Sequence, residues 1–197
     1  MGLRVPVLFF AGGIDMLKVT PTDLPEVLIL EYEKYHEIRG CSYSNFSKRE
    51  LKEAGINTEF VEENVYWPEK AGTLYGIHFQ NNPMAQAKLL YCTRGRGLDF
   101  AIDLRKASKT YKQWVCVELS PENRNQIYIP KGFGHAFLSL EDNTNVVMKI
   151  DNYFHPDYRR GIAWNDPDLN ISFPIASPIL AQHDMDAPCL KDSDCNL

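Results

Sequence analysis

Positive charge is in short supply in this chain: 21 lysines and arginines stand against 26 aspartates and glutamates, a formal net charge of -5. With a pI near 5.5, the chain lacks the basic surface that neutralises phosphates, which excludes nucleic acid as a bulk partner and leaves only a local basic pocket open. No apolar run reaches the length of a membrane span. No Cys-x-x-Cys spacing occurs among the five cysteines, Cys41, Cys92, Cys116, Cys189 and Cys195. Their odd number and spacing offer no zinc framework and suit free thiols in a reducing compartment. The first residues imitate a signal peptide, but their apolar run is short, is broken by Pro6 and lacks a small-x-small cleavage pattern. Pro6 also occupies the position where a myristoylation signal carries serine or threonine. These absences predict a soluble, cytoplasmic protein with no membrane contact.

What is present fits one globular domain: 197 residues, 44% hydrophobic and 12% aromatic, enough for a sizeable core. From Trp67 onward, short runs rich in β-branched and aromatic residues alternate with Gly, Pro, Asn and Asp clusters, the pattern of an all-β sandwich or barrel. Strands are expected at Lys88 to Thr93, Leu98 to Asp103, Trp114 to Leu119, Gln126 to Ile129, Ala136 to Leu140 and Asn145 to Ile150. The first two flank Arg94-Gly-Arg-Gly97, whose glycines permit the positive φ of a tight hairpin. Ser47-Lys-Arg-Glu50 reads as a capping box opening a short peripheral helix that stops at Gly55. Towards the end, Ile179 to His183 suggests a helical turn, Pro188 breaks it, and 191–197 is expected to fray.

Two of the five histidines, His78 and His135, lie among strand residues and glycines, where side chains can face a barrel interior. Pro130-Lys-Gly-Phe-Gly-His135 matches half of the cupin signature, in which histidines line the mouth of a double-stranded β-barrel (jelly roll). Metal-binding cupins add a His-x-His pair to the first motif. Here the second position is Gln80, so a metal site is not expected, nor any other cofactor. A histidine without a metal to hold has a pKa suited to general base catalysis.

Gly76-Ile-His-Phe-Gln80, Ala85-Gln-Ala-Lys88, Phe100-Ala-Ile-Asp-Leu-Arg105, Ile129-Pro-Lys-Gly-Phe-Gly-His135 and Trp164-Asn-Asp-Pro167 together resemble the dTDP-4-dehydrorhamnose 3,5-epimerase family. Leu180-Ala-Gln-His-Asp184 and Ala187-Pro188 continue the resemblance, which runs in consistent order from about Met16 to Leu190. It implies a single cupin domain over 16–190 with a few short peripheral helices, an N-terminal extension 1–15 of unassigned role and a C-terminal tail 191–197. The implied activity is epimerisation of a nucleotide-diphosphate-linked 4-keto-6-deoxyhexose in deoxysugar or lipopolysaccharide biosynthesis. The resemblance makes His78 the base, Asp184 the carboxylate that orients it, and Lys88 a cation beside the developing negative charge. Arg39, Asn64, Tyr75, His135, Phe154 and His183 fall at substrate-binding positions. It also implies a homodimer whose exchanged N-terminal strands carry Arg39 to the neighbour's ligand. The same letters have plainer readings, with Asp184 capping a turn, Lys88 a solvated strand residue and His135 a hydrogen-bonded core histidine.

The resemblance breaks at Met148, where the family carries the tyrosine that returns the proton; a thioether has none to give. Water or a tyrosine such as Tyr75 or Tyr153 then supplies it, or one carbon centre alone is inverted. Tyr75 replaces a phosphate-pairing arginine, Ser44 a glutamate, His183 a lysine and Phe154 an aromatic hydroxyl, which suggests an altered nucleotide (CDP or GDP) or sugar. A nucleotide-sugar-binding cupin without turnover, and a metal-dependent cupin isomerase or oxygenase, are the alternatives from other classes.

Overall fold

The computed structural model describes residues 8–11 and 16–197, with side chains from Leu17 onward. Its strands are β1 (Leu8–Ala11), β2 (Met16–Pro21), β3 (Leu28–Tyr32), β4 (Tyr35–Glu37), β5 (Gly40–Ser42), β6 (Glu62–Tyr66), β7 (Leu74–Gln80), β8 (Lys88–Arg94), β9 (Gly97–Asp103), β10 (Trp114–Leu119), β11 (Gln126–Ile129), β12 (Phe133–Ser139), β13 (Asn145–Ile150) and β14 (Arg159–Gly161). They form a seven-stranded sheet, β1-β2-β3-β11-β8-β13-β6, and a five-stranded sheet, β10-β9-β12-β7-β14, with β4-β5 as a separate hairpin. The strand pairings are antiparallel. This is the all-β double-stranded barrel that the sequence predicts.

Apolar side chains from both sheets, among them Leu90, Ala101, Val117, Ile127, Phe137 and Val146, fill the barrel. A second layer packs Phe100, Ile102, Ala136 and Leu138 under Ile162 and Leu169 of the C-terminal segment. The five-stranded sheet is therefore covered on both faces. β12 is buried at all seven positions, whereas the edge strand β10 alternates Val115, Val117 and Leu119 inward with Cys116 and Glu118 outward.

The expected strands at Trp114, Gln126 and Asn145 form with the stated bounds, and the one expected at Ala136 begins three residues earlier, at Phe133. The hairpin around Gly95 does not form. Gly95 has the expected positive φ of 67°, but β8 pairs with β11 and β13 while β9 pairs with β10 and β12. The turn is a corner between the two sheets. Both edges of each strand are filled by other strands, and a Cβ on Gly97 would lie 2.2 Å from the Phe137 ring. Turn chemistry specifies a sharp reversal, not which sheet receives the returning chain.

The helix α1 spans Lys48–Glu53, with Ser47 Oγ accepting from the Glu50 amide. The reciprocal half of the capping box is replaced, because the Ser47 amide donates to the Tyr32 hydroxyl at 3.0 Å. The chain leaves the helix through Gly55, at φ 84°. At the other end, residues 191–197 do not fray. Cys195 is buried, Leu197 packs on the outer layer, Arg160 pairs with Asp194, and Asn196 bonds with Asn81 and Asn82. Residues 8–11 pair with β2. The rest of the 1–15 segment lies outside the described residues. Among the described residues no helix is long and apolar enough to cross a membrane.

Candidate active site

The site begins with an irregularity in β7. His135 and Phe137, two steps apart on β12, face His78 and Tyr75, three steps apart on β7. The extra residue brings Tyr75 and His78 to one side, where strict alternation would separate them. Gly76 occupies the bulge at φ 113°, and a Cβ there would lie 2.6 Å from the His135 carbonyl oxygen.

Asp184 reaches His78 because the C-terminal segment docks alongside β7. Thr73 and Ile179 form a parallel bridge, and the Leu74 amide donates to the Ile179 carbonyl at 3.0 Å. The single-turn helix α2 (Gln182–Met185) then presents a carboxylate that is 4% exposed. The helical turn expected at Ile179 to His183 thus starts later, at Gln182. His78 Nε2 lies 2.5 Å from Asp184 Oδ1. A carboxylate accepts only, so Nε2 carries the hydrogen and Nδ1 keeps the lone pair. Burial pushes the His78 pKa below its ordinary 6.5, opposed by the Asp184 hydrogen bond and charge. Asp184 therefore does more than cap a turn.

A cavity of about 270 Å³ opens in front of His78. Lys88 on β8 lines it and is 4% exposed, which removes the solvated reading. Burial lowers its pKa to about 8, with Asp99 and Asp151 opposing. His135 lines the cavity and holds Asp99 at 3.2 Å through Nδ1. It is hydrogen-bonded and cavity-facing at once. Met148 on β13 is buried in the same lining, to which the half-buried Tyr75 and the exposed rim residues Phe154 and His183 also belong.

Arg39 and Asn64 are not brought into this cavity. Arg39 lies on the exposed β4-β5 hairpin and pairs with Glu37 at 2.5 Å, and the Asn64 amide donates to Glu62 at 2.9 Å. Gln80, at the position of the missing second histidine, serves structure: its amide donates to the Met84 and Tyr153 carbonyls and its oxygen accepts from the His155 amide. Ligand atoms of His78, His183 and Asp184 lie within 4.8 Å of one another. Asp184 Oδ1 is the shared point, 2.5 Å from one imidazole and 3.3 Å from the other, so an ion there would compete for the dyad itself.

Sequence reasoning missed three residues. Tyr66 and Arg159 line the cavity, and Asp99 is fully buried behind His135. Only Asp99 left a signal, as a carboxylate inside the apolar run Leu98 to Ile102. Arg159 has no ion pair among the described residues, although it is partly buried.

Barrel, dyad and buried amine together define a cupin-type enzyme. A family model for dTDP-4-dehydrorhamnose 3,5-epimerase matches residues 21–192. The dTDP-4-dehydrorhamnose 3,5-epimerase of Shigella flexneri is 38% identical over 179 residues, 90% of this chain and 98% of that protein. The structure of a dTDP-6-deoxy-D-glucose-3,5-epimerase from Legionella pneumophila in complex with dTDP-4-keto-L-rhamnose superposes with a TM-score of 0.85 at 36% identity, covering 90% of this chain and 95% of that one. A 3'-monoepimerase from Streptomyces bikiniensis in complex with dTDP-quinovose superposes at 0.80 with 31% identity, covering 87% of each. The chain belongs to the dTDP-4-dehydrorhamnose 3,5-epimerase family, a family of isomerases.

Proposed function

We propose that the protein epimerises a dTDP-linked 4-keto-6-deoxyhexose, with His78 as the base. The observation that carries this reading is the 2.5 Å dyad of His78 and Asp184 opening on a cavity that also holds the buried amine of Lys88. His78 Nδ1 takes the proton from the carbon beside the ketone, and the electron pair passes to the ketone oxygen. Lys88 stabilises that enolate oxygen, and a buried cation does so more strongly than one in water. Asp184 holds the ring in its productive tautomer and stabilises the imidazolium. His135, oriented by Asp99, hydrogen-bonds the sugar, with Tyr75, Phe154 and His183 at the nucleotide-facing rim. Arg159 pairs with the diphosphate, since a cavity-wall guanidinium without an ion pair among the described residues suits a phosphate fork.

A second copy completes the site. The β4 and β5 strands are exposed at all their positions, and Ile38 between them is 102% exposed. A hairpin of this kind, carrying Arg39 outside its own cavity, fits exchange with a neighbour. A narrower form of the reading is inversion at one centre, for which the Streptomyces bikiniensis 3'-monoepimerase is the precedent. Nothing comparable supports the binding-only or metal-dependent alternatives.

The test is incubation with dTDP-4-keto-6-deoxyglucose in deuterated water, following C3 and C5 by NMR, with CDP and GDP sugars alongside. Deuterium entry at C3, C5 or both is expected. Exchange at neither carbon with any of the three nucleotides would sink the reading.

A further inference from the structure

The cavity has two walls, one from each sheet, and they carry different chemistry. Tyr75, His78, His135 and Arg159 come from the five-stranded sheet. Tyr66, Lys88, Leu90, Val146 and Met148 come from the seven-stranded sheet facing it. Inversion at a carbon requires that the proton return on the face opposite the one the base has stripped. The base sits on the five-stranded wall, so the acid belongs on the other. Of the five residues there, Leu90, Val146 and Met148 have no proton to transfer. Lys88 has one, but giving it up would remove the charge that stabilises the enolate. Tyr66 remains.

The register supports this choice. Val146 lies opposite Tyr66 and Met148 opposite Asn64 in the β13-β6 ladder. Tyr66 is therefore the diagonal neighbour of Met148 on the same face, a Cβ separation of roughly 7–8 Å that a tyrosine side chain spans. Its ring packs edge-on against Tyr75, with centroids 5.6 Å apart at 62°. We propose that Tyr66 is the catalytic acid of this enzyme, its phenol placed from the neighbouring strand over the position that Met148 leaves without a proton. The proposal rests on the epimerase reading above.

The proton balance closes. The C–H bond breaks towards His78 Nδ1, and the enolate electron pair then forms a C–H bond on the other face with the Tyr66 phenolic proton. Water returns a proton to the phenolate and removes one from the imidazolium, with no change of oxidation state. Burial first, then the charges of Glu62 and Tyr75, hold the Tyr66 pKa above its ordinary 10.0, so the donor stays loaded. Arg159 acts in the opposite sense and steadies the phenolate once it forms. Tyr75 shares the strand of His78 and so lies on the wrong wall, while Tyr153 is 61% exposed and absent from the lining.

The experiment is Tyr66→Phe in deuterated water with dTDP-4-keto-6-deoxyglucose. The variant should keep deuterium exchange, because His78 hands a solvent-derived deuteron back to the face it came from, and should lose inverted product by roughly 10²-fold or more. Retained exchange also certifies a folded site. Tyr66→Phe with Met148→Tyr should recover inversion. An unchanged ratio of inversion to exchange in Tyr66→Phe overturns the proposal, and so does loss of exchange together with inversion, which would make Tyr66 structural. If the wild-type protein neither exchanges nor inverts, the epimerase reading itself has failed and this proposal falls with it.

Discussion

His78 Nε2 and Asp184 Oδ1 meet at 2.5 Å across 106 positions of sequence. The docking of Ile179 against Thr73 makes that meeting possible. Asp184→Asn replaces a group that only accepts with an amide that can also donate to Nε2, which favours the wrong tautomer and removes the charge facing the imidazolium, and should lower kcat by roughly 10²- to 10⁴-fold, with little change in thermal midpoint. His78→Asn should abolish deuterium exchange. Steady-state kinetics beside the NMR assay reads both.

The pH profile of kcat/KM should be bell-shaped. His78 must be neutral to act, and burial holds its pKa below 6.5, so activity should fail only at acid pH below that value. Lys88 must be charged; its lowered pKa means the cation is present below about 8 and lost above it, so the alkaline limb should fall there. Lys88→Arg, charged throughout, should remove the alkaline limb even where it lowers the rate. A flat profile from pH 7 to 10 in the wild type would contradict the role given to Lys88.

Arg159→Gln should raise KM for the nucleotide sugar by about 10-fold or more, the worth of one charge-assisted contact, with a smaller effect on kcat. Titration with dTDP alone provides an independent reading. Equal affinity in wild type and variant would place the diphosphate elsewhere.

Arg39→Ala and His78→Asn proteins, each weak alone, should complement when mixed and reassembled. Half of the protomers enter hybrid dimers, and one site of each hybrid is intact, so about a quarter of wild-type activity is expected. No recovery, or a monomer by sedimentation, would place Arg39 outside the neighbour's site.

Gly97→Ala should destabilise the fold by about 1–3 kcal/mol in urea unfolding, because the added methyl meets the Phe137 ring at the corner between sheets. Phe137 also lines the cavity, so KM should rise as well. A neutral result would show that the ring gives way.

Strand positions were legible where β-branched and aromatic runs stand between turn residues, as at β10, β11 and β13. The strands β1 to β6 and β14 went unread. β6, Glu62-Glu-Asn-Val-Tyr66, is an edge strand rich in charge, whose place is decided by Val146 and Met148 opposite it. That His78, Lys88, Asp184 and Met148 share one site was legible through motif order. That Tyr66 and Arg159 join them was not, because neither stands in a motif that announces its partner.

By itself the sequence determined which groups carry protons and charge, and that the chain makes short strands ending at glycines and prolines. These are local properties of side chains and backbone. Only the tertiary structure decided that the glycine corner sends β8 and β9 into different sheets, that a β7 bulge turns Tyr75 and His78 the same way, and that His78 and Lys88 face one cavity from opposite walls. Those outcomes depend on packing between segments far apart in the chain, as where β8 pairs with β11 and β13 and β7 with β12 and β14.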